Sequence, residues 1–124
     1  MKTLKISLLM AIIALACSTK AQNVSVNITD TTAYLGLYEA KLYVIDTYTQ
    51  NVCLVGEEKN LQEGSSPISP INLICVNLVS DQVDRYRYIA YVIRQSAPGS
   101  GQGWTPLLDT SEMWGTFIID VMVN

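Results

Sequence analysis

The sequence predicts an all-β domain: an antiparallel β-sandwich, immunoglobulin-like or jelly-roll-like, with roughly six to seven short strands and one disulfide. Three observations lead there. Several short segments alternate apolar and polar residues with period two, as half-buried strands do. Clusters of Gly, Pro, Asn, Asp and Ser separate them, and no long amphipathic helix interrupts the series.

The first segment is set apart from that pattern. Lys2 and Lys5 precede or enter an apolar run from Leu4 to Ala16, and Cys17-Ser18-Thr19-Lys20 follows at once. A membrane-spanning helix needs about 20 apolar residues to cross ~30 Å of hydrocarbon, more than this run provides. A cationic start, a short apolar centre and a small-residue exit are the parts of a secretory signal, so residues 1–21 are read as one, and residues 22–124 as a single domain. Thr19-Lys20-Ala21 places cleavage before Gln22 and leaves Cys53 and Cys75 as an even pair, whereas Ala14-Leu15-Ala16 would leave Cys17 first. Lipidation of Cys17 is the alternative, though the residues before it match a lipobox only loosely. The protein is thus expected to be secreted, periplasmic or at the cell surface, with lipid anchoring through Cys17 as the other route and no transmembrane segment.

The alternating segments then follow in order. Val24, Val26 and Ile28 interleave with Ser25, Asn27 and Thr29. Thr31 to Ala40 reads as a loop or a single turn, because Gly36 in a helix centre would cost roughly 1 kcal/mol against Ala. Lys41 to Tyr48 and Val52 to Val55 read as a hairpin across Thr49-Gln50-Asn51, and Glu57 to Pro70 as a loop. Ile71 to Val79 is apolar on both faces and predicts a central strand covered on each side. Tyr86, Tyr88, Ala90 and Val92 form one face of a further strand, whose other face turns apolar at Ile89 and Tyr91. Ser96 to Pro106 reads as a glycine- and proline-rich loop. Asp109 and Glu112 have capping-box spacing for one helical turn before a last strand, in which Phe117, Ile119, Val121 and Val123 face the core.

Cys53 and Cys75 are expected to be bonded, since small exported domains rely on such staples. From Gln22 onward, five cations stand against eleven carboxylates, a formal charge of −6. That balance disfavours nucleic acid, whose binders carry a basic footprint, and adsorption to anionic lipid.

Catalytic parts are scarce. The chain contains no histidine, which removes the commonest general base and metal ligand. Asp81 with Asp84, and Asp109 with Glu112, supply too few oxygens for calcium, which takes six to eight; no metal or cofactor is expected. The run Gly99-Ser100-Gly101-Gln102-Gly103 lacks the helix and lysine of a phosphate loop. Trp104, at the end of that run, has no core role implied by its surroundings, so Trp104, Gln102, Gly101 and Gly103 are the candidate binding residues, with Trp104 as anchor. Trp114 is expected to cover the core.

The expected function is therefore that of an exported, non-catalytic β-sandwich: a subunit or accessory binding component of a cell-envelope or surface assembly, with a protein partner or self-assembly. A small carbohydrate-binding, lectin-like module with a glycan ligand is the alternative. A small hydrolase using paired carboxylates is the remote one.

Overall fold

A computed structural model describes residues 23–124; the proposed signal segment and Cys17 lie outside the described residues. Seven strands form two sheets: β1 (Asn23–Asp30), β2 (Tyr38–Asp46), β3 (Asn51–Leu61), β4 (Gly64–Pro67), β5 (Tyr86–Arg94), β6 (Ser100–Trp104) and β7 (Thr116–Val123). The small sheet has the order β4-β1-β7 and the large sheet β3-β2-β5-β6. The chain is thus an all-β sandwich, as its periodicity predicts. Four of the five strand pairings are antiparallel, but β1 runs parallel to β7, from Asn23 opposite Thr116 to Asp30 opposite Val123.

The core lies between the sheets and is built by strict alternation. Val24, Val26 and Ile28 of β1 and Ile119, Val121 and Val123 of β7 are buried on one side. They meet Tyr38, Ala40, Leu42 and Val44 of β2 and Tyr86, Tyr88, Ala90 and Val92 of β5. The buried tyrosines keep their hydroxyls bonded: Tyr88 donates to the Met113 carbonyl (2.8 Å), and Tyr86 accepts from the Val79 N–H (2.9 Å).

Carboxylates hold both ends. At one, Asp30 closes β1 onto the large sheet. Its Oδ2 accepts from Arg94 Nε (2.9 Å) and the Tyr38 hydroxyl (2.7 Å), and its Oδ1 from Arg94 Nη2 (2.7 Å) and the Thr32 N–H (2.9 Å). The Arg94 guanidinium therefore holds the Asp30 carboxyl well below the usual carboxylate range, although burial opposes it. At the other end Arg85 grips Asp46 with two bonds of 2.8 Å, which lowers that carboxyl to about 2.

Three segments differ from the sequence reading. Ile71–Val79 is not a strand. Its backbone forms no ladder: the Ile74 N–H bonds Asn72 Oδ1 (2.9 Å) and the Val76 N–H the Leu73 carbonyl (2.9 Å), and the Asn72 N–H reaches the Val55 carbonyl of β3 (2.8 Å). Its apolar content serves instead to cover the sandwich edge, where Ile71, Leu73, Val76 and Leu78 pack on the core while Ile74 stays exposed. The Cys53–Cys75 disulfide, with Cα atoms 6.0 Å apart, pins this cover to β3. Residues 57–70 are not one loop, since β3 continues to Leu61 and β4 occupies Gly64–Pro67. Likewise Ser100–Trp104 is an edge strand. A β-carbon on Gly101 would run into the Met122 carbonyl, and one on Gly103 into that of Asp120. The glycines permit β6 to lie against β7, the close backbone approach that glycine in a strand marks. The turn before β7 forms as expected, a 3-10 helix over Thr110–Trp114 with Glu112 Oε1 accepting from the Asp109 N–H at 2.9 Å.

Two predictions follow from this arrangement. Val26→Asp buries an unpaired carboxylate and should unfold the domain, whereas Asn27→Asp, which faces Asp120 across β1 and β7, should cost only about 0.5 kcal/mol through like-charge contact. Urea titrations compare them; equal losses would show that β1 does not pack as described. Acid should also weaken the fold in a defined window. Asp30 and Asp46 have depressed folded-state values, so their stabilisation is present above the ordinary carboxylate pKa of about 3.9 and is lost as pH falls toward 2. Thermal melts from pH 7 to 2 should show a steeper acid decline for the natural chain than for Asp30→Asn. Parallel declines would remove Asp30 from this role.

Candidate functional site

Alternation that buries one side of β2 and β5 sends the intervening residues to the other side. Directly opposed residues in antiparallel strands share a face, so the register defines what that outer face of the large sheet carries. One row crosses all four strands: Leu54 opposite Tyr43, Tyr43 opposite Ile89, and Ile89 opposite Trp104. On one side of it lies the row Val52–Ile45–Arg87. On the other lies Glu57–Lys41–Tyr91–Gln102, followed by Glu39–Ile93–Ser100.

Both main rows near the centre are rich in apolar side chains left open to solvent. Trp104 is 60% exposed, Val52 59% and Leu54 42%. Tyr43, Val52, Ile89, Tyr91 and Gln102 line a shallow depression of about 200 Å³. No second layer covers this face among the described residues, because the small sheet packs on the opposite one.

The cations differ in how they are held. Arg85 and Arg94 are locked by Asp46 and Asp30. Arg87, on the outer face beside Ile45, has a buried Nε that donates to no acceptor among the described residues. An arginine with spare donors beside tryptophan and tyrosine is the residue set enriched at interface hot spots.

Of the residues singled out from the sequence, Trp104 and Gln102 lie on this face, on alternate positions of β6. Gly101 and Gly103 lie on the other side of the strand, against β7. Cys53 and Cys75 sit apart, at the covered edge beside β3. Trp114 does not plug the core; Met113 does, and Trp114 is exposed and lines a shallow depression with Ile71, Leu73, Ile74 and Leu78. Sequence reasoning missed Tyr43, Ile45, Val52 and Leu54. Their signal was present in the hairpin, where Leu42 and Val44 alternate with Tyr43 and Ile45, making both faces apolar.

The carboxyls with resolved shifts, Asp30 and Asp46, are both moved downward, whereas a glycosidase general acid is moved upward. No cluster of three or more metal-ligating side chains occurs among the described residues, and no helix there is long and apolar enough to cross a membrane. Compared with protein families, curated proteins and solved structures, the chain matches none.

Because Trp104 projects from an edge strand without filling the core, Trp104→Ala should leave stability within ~0.5 kcal/mol. Met113→Ala, which empties a fully buried site, should cost about 2–5 kcal/mol. Chemical denaturation of the two variants makes the comparison; a comparable loss at both would show that Trp104 packs as part of the core.

Proposed function

We propose that this protein is an exported, non-catalytic binding protein that docks a protein partner through the outer face of its large sheet. It acts as a subunit or accessory component of an assembly in the envelope or at the cell surface. The observation that carries this reading is the continuous row Leu54–Tyr43–Ile89–Trp104, exposed at Leu54 and Trp104, half-buried at Tyr43 and Ile89, and flanked by Tyr91 and Arg87. Contiguous apolar patches of this kind are uncommon on surfaces that meet only water.

Export is supported by the character of residues 1–21 and by the Cys53–Cys75 bond, since disulfides persist in oxidising compartments. The protein then works in the periplasm, at the cell surface or after secretion, with Cys17 lipidation as the alternative anchor. Carbohydrate binding is the second reading, favoured by one feature: Trp104, Tyr91 and Gln102 adjoin on the same face, two rings and an amide suited to a sugar. The aliphatic side chains around them, Val52, Leu54 and Ile89, favour protein, because they offer nothing to sugar hydroxyls.

A photo-crosslinking residue at Gln102, in protein exported by its native host, should capture a protein of defined mass, and the same residue at Asn27 on the small sheet should not. Intact mass of the exported chain, taken in parallel, should place its first residue at Gln22; a diacylglyceryl-modified Cys17 would move it to a membrane surface. Absence of adducts at Gln102, with saturable glycan binding lost in Trp104→Ala, would transfer the conclusion to the carbohydrate reading.

A further inference from the structure

We infer that two copies of this chain exchange β1, each inserting it between β4 and β7 of the other, with residues 31–37 crossing as the hinge. The outer face of the large sheet takes no part in this exchange.

The small sheet is built around a strand that can leave. β4 and β7 are each paired with β1 and not with one another, so removing β1 leaves a slot with an open edge on either side. Val24, Val26 and Ile28 fill that slot at 2% exposure or less, and an empty slot bares the core to water. β1 is also the first element of the described chain, and a single connection joins it to the rest, so it withdraws without unthreading another strand. Its longer ladder, with β7, is parallel, a pairing slightly weaker per residue than antiparallel. The slot of a second copy is identical. The ladders, the core contacts and the Asp30–Arg94 pair are therefore all remade between chains. Such exchange is a low-cost route to a dimer, because the hinge alone changes conformation.

The hinge favours the exchanged state. Thr32-Ala33-Tyr34-Leu35-Gly36-Leu37 alternates as a strand does, with Ala33, Leu35 and Leu37 on one side. In the single chain it pairs with no strand, and all three residues of that side are exposed, Leu35 at 99%. Drawn straight between two copies, residues 31–37 span roughly 23 Å, and a two-fold axis sets the two hinges side by side and antiparallel. Leu35 then meets the second copy's Leu35, and Ala33 the second copy's Leu37, as directly opposed residues do.

Tyr34 is the latch that holds the hinge folded back in the single chain. Its ring packs edge-on against Tyr38, with 5.4 Å between centres. Its hydroxyl accepts from the Ser96 N–H (3.0 Å) and donates to the Leu37 carbonyl (3.2 Å). The ring lies so close over Gly36 that a β-carbon there would strike it.

Asn27→Lys tests the exchange, because Asn27 Nδ2 meets Asp120 Oδ1 at 2.9 Å across β1 and β7. A carbodiimide condenses the new amine with that carboxylate into an amide and takes up the water released as its urea. The bond forms within one chain where β1 is at home, and between chains where it is exchanged. Isotope-labelled and unlabelled chains, both exported by the native host, are refolded together at high concentration with the disulfide intact, separated by size and crosslinked. The dimer should yield linked peptides with one labelled and one unlabelled half, and the monomer like-labelled ones only. In sedimentation of the otherwise natural chain, Leu35→Ser should weaken dimerisation at least threefold. Gly36→Val, which displaces Tyr34, should strengthen it at least threefold, and Trp104→Ala should leave it unchanged. These three variants decide the matter if Asn27→Lys fails to fold. A monomer throughout, or a dimer giving only like-labelled peptides, overturns the inference. A dimer that dissolves in Trp104→Ala overturns it as well and leaves the outer face as a docking surface. In the photo-crosslinking experiment, exchange shows at Asn27 as the chain linked to itself, distinct in mass from the partner captured at Gln102, so the two readings fail separately.

Discussion

The period-two geometry of β2 and β5 ties the interior of this protein to its outer surface. Each strand lies in the middle of the large sheet; each is apolar on its inner side and carries apolar residues among charged ones on its outer side. Burial of Tyr38, Ala40, Leu42 and Val44 against the small sheet obliges Tyr43 and Ile45 to face away. The same holds for Tyr86, Tyr88, Ala90 and Val92 against Ile89 and Tyr91. A one-residue slip would exchange the two sets and place Lys41 and Arg87 in the core, where unpaired charge is costly. The core thus enforces the composition of the outer face, and the small sheet can cover only one of the two.

The boundaries of the sandwich preserve that exposure. Along one side, Gly101 and Gly103 allow β6 to settle against β7, and the same alternation turns Gln102 and Trp104 outward. Along the other, residues 71–78 fold over the edge beside β3 and are fixed there by Cys53–Cys75. Closing a loop of this length contributes about 3 kcal/mol in the chain-entropy account. At the ends, Asp30 with Arg94 and Asp46 with Arg85 satisfy buried charge in pairs. Arg85 also stacks on Tyr48, 4.7 Å from its ring centre. Edges and ends are closed by specific contacts, and the broad face is left open.

Local patterns in the chain were legible where local physics decides the structure. The alternation in Val24–Ile28 and Phe117–Val123 and the Asp109–Glu112 spacing each specify their own conformation through neighbours in sequence. Ile71–Val79 misleads because an apolar run signals burial and not the pairing that produces it; Asn72 and the disulfide divert it into a cover. Ser100–Trp104 misleads in the opposite sense, since its glycines suit a loop until β7 lies against them. Trp104 and Gln102 were visible as solvent-facing candidates. Their companions Tyr43, Val52, Leu54 and Ile89 join them only through the register of four strands drawn from distant parts of the chain, which no local window contains.

The central claim is that the outer face of the large sheet is the surface through which the protein does its work. Hydroxyl-radical footprinting by mass spectrometry, applied to the exported protein in its native setting and to the isolated, dilute chain, measures that directly. The account predicts that Trp104, Tyr91 and Leu54 become protected in the native setting, while Trp114 and Met122, exposed elsewhere, keep their reactivity. Protection of Trp114 or Met122 with Trp104 and Tyr91 still fully reactive would contradict it.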